Sequence, residues 1–332
     1  MRAWILDESP GTYRLGEIAE PTLGATDVRV RVVASSLNHM DLWVTRALPR
    51  PTLPHVPGCD IAGVVSEVGP EVTTVSVGDE VVVNPTVSPL AEVVALGNDS
   101  PLGRGMRIVG EHRWGGHADY VTVPDRNVVA RPANRSWIEC AAYPLAYATA
   151  YRMLRRARVQ AGHTVLVVGI GSGVSCAALA IALHMGCRVA VTSRSAEKRD
   201  AALALGAEAA YDSGADRWPI EADVVVESVG PATWEQSIRS LRPGGRLVVC
   251  GGTSGSTVEL NLPRLFFKQI EIIGSTMASY EEFAQVTALV AQGVPVQVDS
   301  ILPFTHYPEA LNRLEHGQQL GKIVIDHGGV AA

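Results

Sequence analysis

Residues 27–34, DVRVRVVA, alternate polar and apolar side chains, and 61–69 and 75–83 are β-branched runs broken by glycine. A period of two turns one face of a strand inward and the other outward, so these stretches, with YVTVP at 120–124, predict an all-β opening. Between them, 85–110 has little strand period and many Gly, Pro and Ser residues, and it reads as a surface lobe or long loop. The period changes at Ser136. This residue stands three positions before Glu139 at the head of an alanine-rich run, the spacing of a capping box, and Pro144 kinks or divides the helix that follows. Strand patterns at 164–169, 188–193, 223–230 and 246–252 then alternate with helical patterns at 175–185, 196–206 and 233–241. Strands apolar on both faces that alternate with helices describe a doubly wound parallel sheet, an α/β fold. The tail is mixed: a helix at 281–293, a strand at 298–304, a helix at 309–317 and a strand at 321–326. The pattern changes divide the chain into a discontinuous β-rich domain, 1–128 with 278–332, and a nucleotide-binding domain, 129–277.

Composition narrows the class. The 332 residues suit two domains, and 47% hydrophobic against 19% charged residues, with 32 Gly and 20 Pro, describes a compact chain with many turns. A net charge of -6 offers no basic excess for nucleic acid. No apolar run is long enough for a membrane helix, and no basic start precedes an apolar stretch of signal-peptide length. The five cysteines, Cys59, Cys140, Cys176, Cys187 and Cys250, never pair as CxxC, so a disulfide framework is not expected and a reducing cytoplasm is.

The run TVLVVG leads directly into Gly169, Gly171, Ser172, Gly173 and Val174 and then into an alanine-rich helix. Small residues there let the backbone turn tightly and bring a pyrophosphate onto the free N–H groups of a helix N-terminus. Ser175 fills the last glycine position, so the fingerprint is imperfect. About 20 residues on, where an NAD enzyme places an acidic side chain against the ribose, this chain has Ser193, Arg194 and Ser195, with Lys198 one turn beyond. Those cations suit a 2′-phosphate, so NADP(H) is expected; the plainer alternative is two solvated residues at a helix start.

The order of motifs resembles the medium-chain dehydrogenase/reductase superfamily. The matching pieces are Asn38-His39-Met40-Asp41, Pro57 to Val65 (PGCDIAGVV), Val77 to Val81 (VGDEV), Gly115 to Val121 (GGHADYV), Thr149-Ala150-Tyr151, the glycine loop, and Gly321-Lys322-Ile323-Val324. The resemblance implies a GroES-like β-rich catalytic domain and a Rossmann domain. It also implies zinc ligands at positions that here hold Asn38, Cys59 and Leu145, and a leucine cannot coordinate. The stretch 84–114, where zinc alcohol dehydrogenases carry a second zinc on four cysteines, has none. No metal is therefore expected. Residues 57–65 are similar to the pattern of zinc-independent quinone oxidoreductases, and that branch implies Tyr211 and Lys198 at the 2′-phosphate. It further implies Asn38 beside nicotinamide and substrate, Thr149 near the nicotinamide ribose or amide, and Val229, Gly251 and Lys322 among the cofactor contacts. A displaced metal site on His39, His55, Cys59, Asp60 and His112 or His117 is the competing reading, although its spacing fits no compact ligand motif. Asp41 and Asp60 read as structural carboxylates.

Without a Lewis acid an alkoxide is hard to stabilise, whereas a conjugated carbonyl spreads incoming charge itself. The expected activity is NADPH-dependent reduction of a quinone or enone, with Asn38 polarising the carbonyl. Three alternatives stand beside it: a zinc-type alcohol or aldehyde dehydrogenase, an enoyl-thioester reductase using Arg46, Arg50 or Arg104, and a non-catalytic NADPH-binding protein. The substrate pocket is expected to draw on Trp43, Leu48, the 85–114 lobe and Met277. A homodimer is expected through the apolar edge strand at 270–274.

Overall fold

The computed structural model describes residues 1–328. Its contacts divide into two compact units, one of Met1–Leu145 with the segment that begins at Ala278, the other Ala146–Met277.

The first unit opens with an antiparallel pair, β1 (Arg2–Ile5) and β2 (Arg14–Glu17). Strand β3 (Asp27–Ser36) follows, then helix α1 (His39–Thr45), β4 (Asp60–Val68) and β5 (Glu80–Val83). The polar side chains of β3 alternate outward over its first half, and its last residues are buried on both faces. Its valines pack with Ile61, Val65, Val81 and Val121 into the core.

The structure corrects one sequence expectation here and decides between the two readings of another. The strand expected from residue 75 starts only at Glu80. Ser76 donates its N–H to the Asp79 carboxylate at 2.9 Å and Gly78 takes φ +97°, so a turn displaces the strand. The stretch 85–110, expected as a surface lobe or a long loop, is a lobe with structure of its own: β6 (Thr86–Val87) pairs antiparallel with β7 (Arg107–Ile108), and helix α2 (Leu90–Leu96) and a 3-10 turn (Gly97–Leu102) lie between them. No residue of α2 is buried, and its seven residues, LAEVVAL, are apolar except Glu92, so it lacks the polar face that would mark a surface helix.

Strands β8 (Tyr120–Pro124) and β9 (Val128–Ala130) complete this stretch of sheet. Helix α3 (Trp137–Ala142) starts on the expected capping box: the Ser136 hydroxyl accepts the Glu139 N–H at 3.2 Å, and the Glu139 carboxylate accepts the Ser136 N–H at 3.0 Å. Pro144 begins a separate helix, α4 (Pro144–Arg156).

The second unit runs β10 (Thr164–Val167), α5 (Gly173–His184), β11 (Arg188–Ser193), α6 (Ala196–Ala204), β12 (Ala209–Asp212), β13 (Ala222–Glu227), α7 (Trp234–Arg239), β14 (Leu241–Val249), α8 (Leu262–Lys268) and β15 (Glu271–Gly274). Its six strands are parallel in the order β12-β11-β10-β13-β14-β15. That order reverses between β10 and β13, and in such sheets ligands bind outside the carboxyl ends of the strands at the reversal.

The chain returns to the first unit through α9 (Tyr280–Ala291), β16 (Val298–Pro303), α10 (Tyr307–Glu315) and β17 (Lys322–Asp326). Strand β17 pairs antiparallel with β3, Val324 opposite Ser36, and β3 pairs with β4, Ser36 opposite Asp60. One end of the sheet thereby gathers residues from three distant parts of the sequence.

Replacing Ser136 by Ala removes the α3 cap and is expected to cost about 1 kcal/mol of stability. Urea unfolding checks this: the midpoint should fall with an unchanged slope, and an unchanged midpoint would show that the cap contributes nothing.

Candidate active site

The sheet end just described holds a buried ion pair. Lys322 Nζ lies 2.7 Å from Asp60 Oδ2, with the two side chains 3% and 0% exposed. The ammonium also donates to the Leu37 carbonyl at 2.5 Å and to Asn38 Oδ1 at 2.7 Å, which uses its three N–H groups. Asp60 Oδ2 accepts further from the Ser36 hydroxyl at 3.0 Å and from Asn38 Nδ2 at 2.9 Å, while Oδ1 accepts the Leu145 N–H at 2.6 Å. A buried pair is tolerable only when its remaining lone pairs are satisfied, and here they are.

Asn38 sits between the two charges and is half-buried. It is the N-cap residue of α1, and its own N–H donates to Asp41 Oδ2 at 2.7 Å. Asp41, fully buried, accepts the Gly58 N–H on its other oxygen at 3.1 Å and so ties α1 to the turn before Cys59. Neighbouring His39 is half-buried, and burial, followed by the Lys322 charge, lowers its pKa.

Two histidines extend the network. The Ser35 hydroxyl lies 2.9 Å from His117 Nδ1 and 2.8 Å from His327 Nε2. His117 Nε2 is 3.9 Å from Asp41 Oδ2, and its ring packs on Tyr307 with centroids 4.6 Å apart.

These residues do not fit a zinc ion at the three implied positions. Asn38 Oδ1 is held by an ammonium, and the Leu145 side chain has no atom that can ligate a metal, while its N–H donates to Asp60. Cys59 is fully buried, and burial, then Asp41 and Asp60, push its thiol well above its ordinary pKa, against the thiolate a metal needs. The displaced set disperses as well. His55 Nε2 bonds the Gly110 carbonyl at 2.9 Å, His112 Nδ1 accepts the Ile108 N–H at 3.2 Å, and His117 serves Ser35. Among the described residues, no three of His, Cys, Asp and Glu are grouped to hold a metal ion.

In the second unit the loop after β10 is built on backbone that glycine favours: Gly169 has φ +74° and Gly171 φ +142°. A Cβ on Gly169 would lie 2.7 Å from Val229 Cγ2, so the loops after β10 and β13 touch. Ser172 caps α5 by accepting the Ser175 N–H. Ser175, where the fingerprint expects glycine, is buried; it accepts the Gly171 N–H at 3.2 Å and donates to the Ser172 carbonyl at 2.9 Å. Its hydroxyl thus serves the loop from within. Gly173 and Val174, half-buried, form the first turn of α5, and Gly251 is half-buried just beyond β14. Thr149 on α4 is buried, and its hydroxyl has no hydrogen-bond partner. A small-residue loop at the sheet reversal and an orphaned hydroxyl fit a dinucleotide.

Around the end of β11, Ser193 is buried, Arg194 is exposed, and Lys198 is half-buried on the first turn of α6. Tyr211 lies opposite Thr192 on the neighbouring strand, partly buried against the core.

Two residues went unread in the sequence, and so did the surroundings of a third. Asp212 is paired with Ser193 across β11 and β12, so a carboxylate does reach this strand end; Arg199 stands 3.8 Å from it. The place to look was the next strand, not the same one. Glu227, fully buried at the end of β13, accepts from Val229, Gly230, Thr233 and Ser237 and so holds the loop that meets Gly169. Its signal was an acid ending an apolar strand. Lys322 was expected at the cofactor, and the structure shows its donors spent inside the first unit, a pairing of residues 262 positions apart that no local pattern marks. Of the expected pocket residues, Trp43 is half-buried, Leu48 exposed and Met277 buried.

Residues 24–133 match the alcohol dehydrogenase GroES-like domain, and 173–292 match the zinc-binding dehydrogenase family. The chain is 30% identical to the 2-methylene-furan-3-one reductase of Solanum lycopersicum, over 98% of this chain and 79% of that one. A solved NAD-dependent alcohol dehydrogenase is 36% identical, with TM-score 0.92, over 98% of this chain and 99% of that one. A 2-octenoyl-CoA carboxylase reductase solved with NADP and 2-octenoyl-CoA is 29% identical, with TM-score 0.90, over 96% and 82%.

Burial, then His117 and Arg2, push the His327 imidazole from its ordinary 6.5 down to about 3. Between those values the unfolded chain binds a proton that the folded chain refuses, so this residue makes stability fall as pH drops from about 6.5 toward 3. Replacing His327 by Gln is expected to flatten that fall in urea unfolding measured from pH 7 to 4.5. Identical slopes in both proteins would contradict it.

Proposed function

The chain belongs to the medium-chain dehydrogenase/reductase superfamily and is an oxidoreductase, and from this we propose that it reduces a quinone or an α,β-unsaturated carbonyl with NADPH and without zinc. The observation that carries the reading is the Asn38–Lys322–Asp60 cluster, in which the amide at one implied metal-ligand position is committed to a buried ion pair. When bound, NADPH would supply the hydride for such an acceptor, whose π electrons would move onto the carbonyl oxygen, with the proton coming from solvent. Gly169, Gly171, Ser172, Gly173 and Val174 would cradle the pyrophosphate, Val229 and Gly251 would flank the dinucleotide, and the orphaned Thr149 hydroxyl would serve its nicotinamide half. Arg194, Lys198, Ser193 and Tyr211 would receive the 2′-phosphate, and Arg199 would offset Asp212 there.

Asn38 is the polar group of the cluster that a substrate can reach, and it keeps one amide N–H uncommitted. Aimed at a carbonyl oxygen, that donor favours the state in which the oxygen carries negative charge. A conjugated acceptor needs no more, whereas oxidation of a plain alcohol needs a stronger electrophile than an amide. A coenzyme A thioester remains within this class, but Arg46, one of the cations it would draw on, is ion-paired with Glu315. We further propose a cytoplasmic homodimer. No disulfide joins cysteines among the described residues, and no helix among them is long and apolar enough to cross a membrane. Strand β15 lies at the edge of its sheet, with Ile272, Phe266 and Phe267 exposed beside it.

Three measurements bear on this. NADPH oxidation by protein treated with chelator should proceed with 1,4-benzoquinone and cyclohexenone; activity with plain aldehydes alone, or zinc at one equivalent by elemental analysis, would overturn the reading. Changing Arg194 and Lys198 to Ala should raise KM for NADPH about tenfold and leave that for NADH unchanged; equal changes would argue against a phosphate site. Light scattering should give twice the chain mass, and Phe267→Glu should give monomer; a wild-type monomer would contradict the dimer.

A further inference from the structure

The uncommitted N–H of Asn38 is one end of a chain of hydrogen bonds whose other end is a full positive charge. Lys322 donates to Asn38 Oδ1 at 2.7 Å, and Asn38 Nδ2 donates to Asp60 at 2.9 Å. An amide flip would set the carbonyl oxygen against the carboxylate and the NH2 group against the ammonium, unfavourable at both ends, so its orientation is fixed. We propose that Lys322 is a positioning residue for the reduction: through Asn38 it supplies the positive charge that stabilises the substrate oxygen, a role the three implied ligand positions cannot give to a metal. This rests on the reading of the chain as a conjugated-carbonyl reductase.

Three features support it. An ammonium on the amide oxygen draws electron density from nitrogen and strengthens the remaining N–H as a donor, and such chains are cooperative. The effect acts at short range and out of water, because Lys322 and Asp60 are buried while Asn38 is half-buried. The Asp60 charge is shared among Ser36, Leu145, Asn38 and Lys322, so the carboxylate holds the lysine in place without facing the open amide alone. With all three Lys322 donors spent inside the first unit, a role as a direct cofactor contact is left with no donor to make it.

The test is steady-state kinetics on Lys322→Met, Asn38→Ala and the double variant, with cyclohexenone and 1,4-benzoquinone. Lys322→Met should lower kcat with cyclohexenone about 100-fold and leave KM for NADPH within about threefold. The loss should be at least about tenfold smaller with benzoquinone, which stabilises its own charge and asks less of the donor. In the Asn38→Ala background the same change should cost less than about threefold, because its route is gone. Additive losses, equal losses with both acceptors, or a raised KM for NADPH with unchanged kcat would each overturn the proposal. Removing one member of a buried ion pair risks unfolding, so Lys322→Met combined with Asp60→Asn is the second variant, with the same expected pattern. A wild-type protein that turns over neither acceptor would overturn the reductase reading and this proposal together; a wild type that turns over while the variants keep full kcat would overturn this proposal alone.

Discussion

The ion pair between Lys322 and Asp60 is the constraint from which the first unit's site follows. Strands β3, β4 and β17 end together, and the pair, with Ser36 and Asn38, joins their ends. A charge buried to this depth is stable only with a matched partner, and losing either one typically costs 3 to 5 kcal/mol. The arrangement therefore constrains the residues around it. Ser36 and the Leu145 N–H supply donors the carboxylate would otherwise lack, and Asn38 must present its oxygen to one charge and its nitrogen to the other.

The second unit depends on a different economy, in which side-chain oxygens satisfy backbone N–H groups. Ser175 and Thr192 serve the N–H groups of Gly171 and Gly169, and Glu227 serves those of Val229 and Gly230. These contacts fix two loops at the sheet reversal before any ligand arrives, and a preformed loop loses less entropy when a pyrophosphate binds. Chemistry that needs a positive charge and chemistry that needs a shaped anion site are thus supplied by separate units of one chain.

Much of this was legible in the sequence. Alternation at 27–34, the capping box at Ser136 and Glu139, and the strand, glycine loop and helix at 164–184 each carry a local signal that the structure reproduces. What the sequence did not reveal has physical reasons. Helix α2, LAEVVAL, is only seven residues long and apolar except at Glu92, too short and uniform to set a period. Strand β12 is built from AAYD, whose alanines favour helix over strand. Asp212 reaches Ser193 only through strand pairing, and Lys322 reaches Asn38 only through an antiparallel register set by distant segments. Fold signals are local and periodic; the charges that define a site converge through tertiary structure.

The central claim is reduction of a conjugated acceptor by charge stabilisation from an amide and a lysine. It is tested most directly by following deuterium from NADPH labelled at the nicotinamide C4 into cyclohexenone, with chelator-treated protein and NMR of the product. The account predicts label at the β-carbon of cyclohexanone. Label on the carbinol carbon of an unsaturated alcohol would contradict it.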